Sequence, residues 1–315
     1  ILRSGFRTIL SGNLQTNLLM NIGHSLSFNG KSIISENWDR IYANYLRALM
    51  EAGDIFEGRN GETRAAFGCS VRVDLRSGFP LTRLRKLPWK NICREFLFDI
   101  GFDTNVSALG PAKHFWDFLA DENGELGASA YCRQWRQWPQ SAAGVEVPNE
   151  TLQTEKAVDQ LGNVITNLNL QPNTRQATII THNPTAIDPG CPPCHLAMQF
   201  MPARDGMLDL MVPARSNDMV VGFPLDIARY SIMLEVVAQL TQRKARFVYM
   251  PSANSHIYEN CYHLVAQMLQ RSWEDECRMT MSDDWLKNKT LANLSENSFV
   301  LENYNPHPAI RINVN

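Results

Sequence analysis

Apolar positions recur along this chain with two periods, and the changes between them mark its elements. From residue 38 to residue 53, Ile41, Tyr45, Ala48, Leu49 and Ala52 fall on one face of a helix, and Gly53 stands where glycine commonly stops one. Val71-Arg72-Val73-Asp74-Leu75 alternates with the period of two that a half-buried strand requires. A second helix is predicted over 89–100, with Ile92, Phe96 and Ile100 as one apolar stripe. Pro, Gly and Asn make 140–150 a loop, and a helix is predicted around 151–168. Short strands come next at 177–181, 196–201, 207–212 and 245–250, with a helix over 225–242 between the last two. Strands and helices mix without strict βαβ alternation, which predicts an α+β fold rather than a doubly wound sheet. Residues 1–36, rich in Ser, Asn, Gly and Gln, read as a peripheral N-terminal arm. No repeat or long linker divides the remainder, so 37–315 read as a single domain.

Composition narrows the function classes. A chain of 315 residues with 44% hydrophobic residues can bury a core without disulfide or metal staples. Lys and Arg number 30 against 32 Asp and Glu, so there is no basic footprint for a long nucleic acid. No apolar run reaches the length of a membrane span. The opening Ile1-Leu2-Arg3-Ser4-Gly5-Phe6-Arg7 carries charge and lacks the apolar core of a signal peptide, although the first residue is not Met. Seven irregularly spaced cysteines fit reduced thiols in a cytoplasmic protein better than a secreted disulfide frame.

Three segments carry chemistry. In Pro192-Pro193-Cys194-His195 two prolines stiffen the approach to a cysteine that is either a positioned thiolate or a buried structural residue. Cys191-x-x-Cys194 admits zinc or redox chemistry, but Cys261 and Cys277 are too far apart to supply a second zinc pair, and no metal is expected. Arg215-Ser216-Asn217-Asp218 joins a planar cationic fork to a hydroxyl donor, which suits a phosphate monoester or, equally, a solvated turn. His256 and Tyr258, two residues apart, share one side of an extended segment and could hold a sugar hydroxyl.

Taken in order, these motifs resemble those of the thymidylate synthase family. Pro-Pro-Cys-His, Arg-Ser-Asn-Asp, Gly222-Phe223-Pro224-Leu225-Asp226-Ile227-Ala228-Arg229-Tyr230 and His-x-Tyr keep the family's order of segments. So do Phe79-Pro80-Leu81-Thr82, Glu95-Phe96-Leu97-Phe98, Trp116-Asp117, Tyr131-Cys132-Arg133-Gln134-Trp135-Arg136 and Tyr304-Asn305-Pro306-His307-Pro308. The resemblance runs over roughly residues 40–315.

It implies an α+β fold on a large, mostly antiparallel sheet, one face of which forms a homodimer interface. It implies C5 one-carbon transfer from 5,10-methylenetetrahydrofolate to a pyrimidine nucleoside monophosphate, with no membrane or nucleic-acid partner, in the cytoplasm of a bacterial or phage-infected cell. By motif, Cys194 is the nucleophile on C6 of the base and His195 stands beside it. Glu95 is the acid/base carboxylate and Tyr131 the relay for the C5 proton. Arg59, Arg215 and Ser216 hold the phosphate, Arg175 reaches it across the dimer, and His256 and Tyr258 hold the sugar. Trp116, Asp218 and Gly222 lie on the folate side.

The departures are informative. Gln176 stands where the family has a second arginine, Ala214 where it has glutamine, Cys132 where it has glycine, and the tail Arg311-Ile312-Asn313-Val314-Asn315 is not the usual small apolar ending. Most telling is Asp226, which replaces an asparagine whose amide matches the N3 and O4 edge of uracil. A carboxylate cannot donate to O4 but can accept from the 4-amino group of cytosine. Asp226 is also what phage deoxycytidylate hydroxymethylases carry, so dCMP is the expected substrate and 5-hydroxymethyl-dCMP the expected product. Methylation of dCMP, hydroxymethylation of CMP, ordinary dUMP methylation, a non-catalytic nucleotide- or RNA-binding homologue and a cysteine hydrolase are the alternatives.

Overall fold

The alternation at 71–75 is the end of a longer strand whose inward positions, Cys69, Val71 and Val73, are buried. The computed structural model describes residues 23–58, 61–138, 157–184, 186, 192–272 and 276–310. Its strands are β1 (His24–Phe28), β2 (Lys31–Ser35), β3 (Asp54–Gly58), β4 (Gly61–Asp74), β5 (Thr178–Ile180), β6 (Ala197–Pro202), β7 (Met207–Met211), β8 (Asn217–Asp218), β9 (Lys244–Tyr258), β10 (Arg278–Met281) and β11 (Phe299–Glu302). The α-helices are α1 (Trp38–Ala52), α2 (Trp89–Asp99), α3 (Tyr131–Arg136), α4 (Gln160–Leu170), α5 (Phe223–Leu240), α6 (Tyr262–Met268) and α7 (Asp283–Lys287).

Nine strands make one sheet in the order β2-β1-β4-β9-β7-β6-β5, with β3 added beside β4 and β8 beside β9. Among the strands of the described residues only β7–β9 and β8–β9 pair in parallel, so the fold is α+β with a mostly antiparallel sheet. Register places the apolar residues in rows. Leu26 stands opposite Val71 and Val71 opposite Met250. Leu210 lies between Val248 and Phe200, and Met198 faces Ile179. These residues are buried, and α1 and α5 pack on the sheet. Alternate positions, among them Tyr249, Met211 and Met201, face the other way and remain partly exposed.

Helix α1 begins at Asn37, whose side chain accepts the Arg40 N–H at 3.0 Å. Within the first turn, Asp39 is buried and binds Arg83 through both its main-chain N–H (3.0 Å) and Nε (2.8 Å). That pair anchors the segment 79–83 against α1. The C-terminal stretch closes on the same segment, because Tyr304 donates its hydroxyl to the Thr82 carbonyl and accepts the Leu87 N–H. Two motifs far apart in the chain are thus one structural unit.

The structure corrects some local expectations. Gly53 does not stop α1 in a left-handed conformation; its φ is −75° and ψ 140°. Glycine is needed there because a Cβ would lie 2.5 Å from the Leu49 carbonyl oxygen, where β3 leaves the helix. Helix α4 starts at Gln160 rather than near 151, with Asp159 accepting the Gly162 N–H at 2.8 Å. Residues 139–156, which include the expected loop, lie outside the described residues, as do residues 1–22 and the tail 311–315. The later part of the expected arm is a hairpin on the sheet. Leu26 and Phe28 alternate inward in β1, a pattern masked by the intervening serines.

Candidate active site

The loop that carries Cys194 lies beside the segment after β7 and beside β9. His195 bridges to Ala214, and Ala214 in turn bridges to Ser252 of β9, so the cysteine loop, residues 213–216 and β9 lie side by side. The Arg215 N–H donates to the Cys194 carbonyl at 2.8 Å. Its guanidinium binds the carbonyls of Pro193 (2.9 Å) and Pro192 (2.6 Å), fixing the half-buried cysteine at the head of β6. Ala214 is buried in this ladder, where a long polar side chain would need a partner.

Beneath the cysteine lies an enclosed polar network. The Tyr131 hydroxyl, on the first residue of α3, is 3.0 Å from His195 Nδ1. His195 Nε2 is 3.6 Å from Asp226 Oδ2 on α5. Burial pulls the His195 pKa down to about 4, so the ring is neutral near pH 7. Burial likewise raises the Tyr131 hydroxyl above its ordinary range, with the neighbouring Cys194 acting in the same direction. A neutral imidazole between a phenol and a carboxylate can pass a proton or hold a substrate edge without carrying charge.

Arg229 joins this network to α2. Its Nη2 donates to Asp226 Oδ1 at 2.5 Å and its Nη1 to Asp99 Oδ2 at 2.7 Å. The same Nη1 is 3.7 Å from Glu95 Oε2, while Trp116 Nε1 donates to Glu95 Oε1 at 3.3 Å. Burial opposes charge on Arg229, but Asp99, Asp226 and Glu95 outweigh it and keep the guanidinium protonated. Three carboxyl groups around one cation cannot all ionise cheaply in a buried site. Burial raises the Asp99 pKa to about 7, and Glu95 is raised for the same reason despite Arg229 and Trp116. A carboxyl that holds its proton nearer neutrality suits acid/base work.

A second group lies along β8 and β9. Asp218 pairs with His256 across the two strands, and its Oδ1 accepts the N–H groups of Val220 (2.9 Å) and Val221 (3.0 Å). His256 and Tyr258 lie edge to face with centroids 4.9 Å apart, and His256 Nδ1 is 2.8 Å from Asn254 Oδ1. Gly222 immediately precedes α5. A Cβ there would sit at ordinary contact distance, 3.6 Å from Asp226 Oδ2 and 3.7 Å from the Asp218 carbonyl oxygen.

The structure therefore gathers Glu95, Trp116, Tyr131, Cys194, His195, Arg215 and Asp226 through contacts in one network, with Asp218, His256 and Tyr258 on the adjoining strands. Ser216 is half-buried next to Arg215. Arg175 is apart from them, exposed on the approach to β5. Arg59 lies outside the described residues. Sequence reasoning missed Arg229 and Asp99 as site residues. Their signal was spacing: Asp99 follows Glu95 by four residues and Arg229 follows Asp226 by three, which puts each pair on one helical face.

Known proteins bear on this geometry. A family model described as thymidylate synthase matches residues 40–315. Proteins named thymidylate synthase from Coxiella burnetii strains Dugway 5J108-111, RSA 331 / Henzerling II and RSA 493 / Nine Mile phase I are each 32% identical over 273 residues. Each alignment covers 86% of this chain and 97% of the relative.

Proposed function

This chain belongs to the thymidylate synthase family, and on that premise we propose that it hydroxymethylates C5 of a cytosine nucleoside monophosphate, dCMP foremost. The family uses 5,10-methylenetetrahydrofolate as its one-carbon donor. Trp116, Asp218 and Gly222 are the residues that would hold it, an indole face and a carboxylate being suited to a flat ring system with a polar edge. When bound, the folate supplies the one-carbon unit, and completion by water rather than hydride gives a hydroxymethyl group and tetrahydrofolate.

The chain's own residues have separable roles in this reading. Cys194 adds to C6 of the base, which makes C5 nucleophilic. Arg215, with Arg59 and an Arg175 supplied by the second copy, neutralises the phosphate, Ser216 donates a hydrogen bond to it, and His256 and Tyr258 hold the sugar. Glu95, with its raised pKa, donates and accepts protons at the base, and Tyr131 with neutral His195 serves the proton leaving C5. The observation that carries base choice is Asp226, whose Oδ1 is occupied by Arg229 while Oδ2 lies on the His195 side. An acceptor carboxylate there matches the 4-amino group of cytosine and leaves uracil O4 without a donor, at about 1–3 kcal/mol for each unpaired buried group.

The dimer belongs to the same proposal. Ile180, Met201, Met211 and Tyr249 on the outer sheet face are each between 38% and 42% exposed, an apolar surface suited to burial against a second copy. The Arg175 carbonyl accepts from Gln199 on that face, which puts Arg175 at its margin.

Methylation of dUMP is the second reading, favoured by the name of the relatives. Mass spectrometry of the nucleotide product after incubation with methylenetetrahydrofolate and dCMP, CMP or dUMP separates the two. The expected result is 5-hydroxymethyl-dCMP without dihydrofolate, with dCMP preferred over dUMP at least about a hundredfold in kcat/KM, or about 2.7 kcal/mol. Asp226→Asn should narrow or invert that ratio. Equal turnover of dUMP by the unaltered enzyme would end the reading of Asp226.

A further inference from the structure

The salt-bridged pair of Arg229 on α5 and Asp99 on α2 has no part in those roles. Both residues are buried, Arg229 at 7% and Asp99 at 4% exposure, on helices whose neighbouring positions are apolar. Hydrophobic residues of similar volume in place of such a pair are often as stable or more so, so stability alone is a weak reason for its presence. Arg229 Nε also lacks a hydrogen-bond partner among the described residues, which an arrangement built for stability alone would avoid.

What the pair does geometrically is specific. One terminal nitrogen of the guanidinium is held by Asp99 at 2.7 Å, and the other reaches Asp226 Oδ1 at 2.5 Å. The planar fork converts a fixed Asp99 into a fixed direction for the bond to Asp226. Asp226 sits only three residues before Arg229, so both side chains project from the same face of α5. With Oδ1 engaged, Asp226 can rotate little, and Oδ2 is the oxygen left on the side of His195. The same nitrogen that binds Asp99 lies 3.7 Å from Glu95 Oε2, so one cation spans the base-reading carboxylate and the acid/base carboxylate.

We propose that Arg229, anchored by Asp99, is a positioning residue for base choice: it pins one oxygen of Asp226 so that only the other is presented to the pyrimidine edge. The inference rests on the reading of Asp226 as the base-selecting residue. It predicts that discrimination between cytosine and uracil depends on two buried residues that do not touch the nucleotide.

The test compares dCMP, dUMP and the abasic probe 2-deoxyribose 5-phosphate by titration calorimetry in unaltered enzyme and in the double variant Asp99→Leu/Arg229→Met. Replacing both charges leaves no unpaired buried ion from the pair. The double variant should bind the abasic probe within about twofold of the unaltered enzyme yet lose at least about tenfold of the dCMP-to-dUMP ratio, equivalent to about 1.4 kcal/mol. A merely structural role would weaken all three ligands together, and that outcome overturns the proposal. So does a dCMP-to-dUMP ratio that survives unchanged. If the double variant does not fold, Arg229→Lys carries the same comparison, since one ammonium keeps the charge but cannot serve Asp99 and Asp226 through separate nitrogens. An unaltered enzyme without cytosine preference would instead overturn the reading of Asp226, and this inference with it.

Discussion

A cysteine is an ordinary residue until its surroundings commit it to one task. Cys194 is committed by Arg215, which holds the two preceding proline carbonyls and the cysteine's own carbonyl, and by the closed Tyr131–His195 pair beside it. Substitution by serine keeps those contacts and removes only the strong nucleophile. Cys194→Ser should therefore lose at least about a thousandfold in kcat while nucleotide affinity changes little, because in the proposed function the phosphate and sugar contacts come from other residues. Turnover and equilibrium binding measured on the same preparation check this, and near-normal turnover would exclude a covalent route through this thiol.

Elements bring their own titrations. His24 on β1 is fully buried and accepts the Asp74 N–H at Nδ1, 3.1 Å away. Burial lowers its pKa from 6.5 to about 4 even though Asp74 acts the other way. The unfolded chain therefore takes up a proton at this residue that the folded chain refuses. Its contribution to stability is complete above pH 6.5 and is lost as pH falls toward 4. His195, lowered to about 4 as well, adds to the acid-side loss. Asp99, raised to about 7, acts oppositely, with stability lost as pH rises from the unfolded value toward 7. Asparagine at position 24 can still accept the Asp74 N–H but does not titrate. His24→Asn should thus reduce the loss of unfolding free energy between pH 7 and pH 4 by up to about 3 kcal/mol, as read by chemical denaturation at each pH. An unchanged acid limb would mean that the β1–β2 hairpin opens before the rest of the chain unfolds.

At the scale of the whole molecule, the outer sheet face decides whether one chain suffices. Its partly exposed apolar side chains and the marginal position of Arg175 are the basis for the proposal that a second copy completes the site. Arg175→Ala and Cys194→Ser subunits are each expected to be inactive as homodimers. Mixed and allowed to exchange, they should regain up to about a quarter of normal activity, because one of the two sites in a heterodimer has both residues and half of the dimers are mixed. Mass measurement of the mixed species verifies exchange. Exchange without recovered activity would show that Arg175 serves its own subunit.

Much of the fold was legible because local pattern and global burial agree. The helix beginning at Trp38 and the strand ending at Asp74 have periods that the core satisfies directly, and the central helix over Phe223–Leu240 is apolar enough to be buried on nearly all sides. That Cys194, Arg215 and Asp226 belong to one proposed site was suggested by residue type and order, and the structure brings them close together. What sequence order could not reveal was adjacency. His24 and Asp74 are 50 residues apart, and Asp99 and Arg229 are 130 apart, yet each pair shares a hydrogen bond. Along the chain Asp99 and Arg229 look like unmatched charges on helical faces that already carry Glu95 and Asp226. Only the packing of α2 against α5 turns the two into one ion pair, because a buried charge has meaning only with the partner that the tertiary structure brings to it.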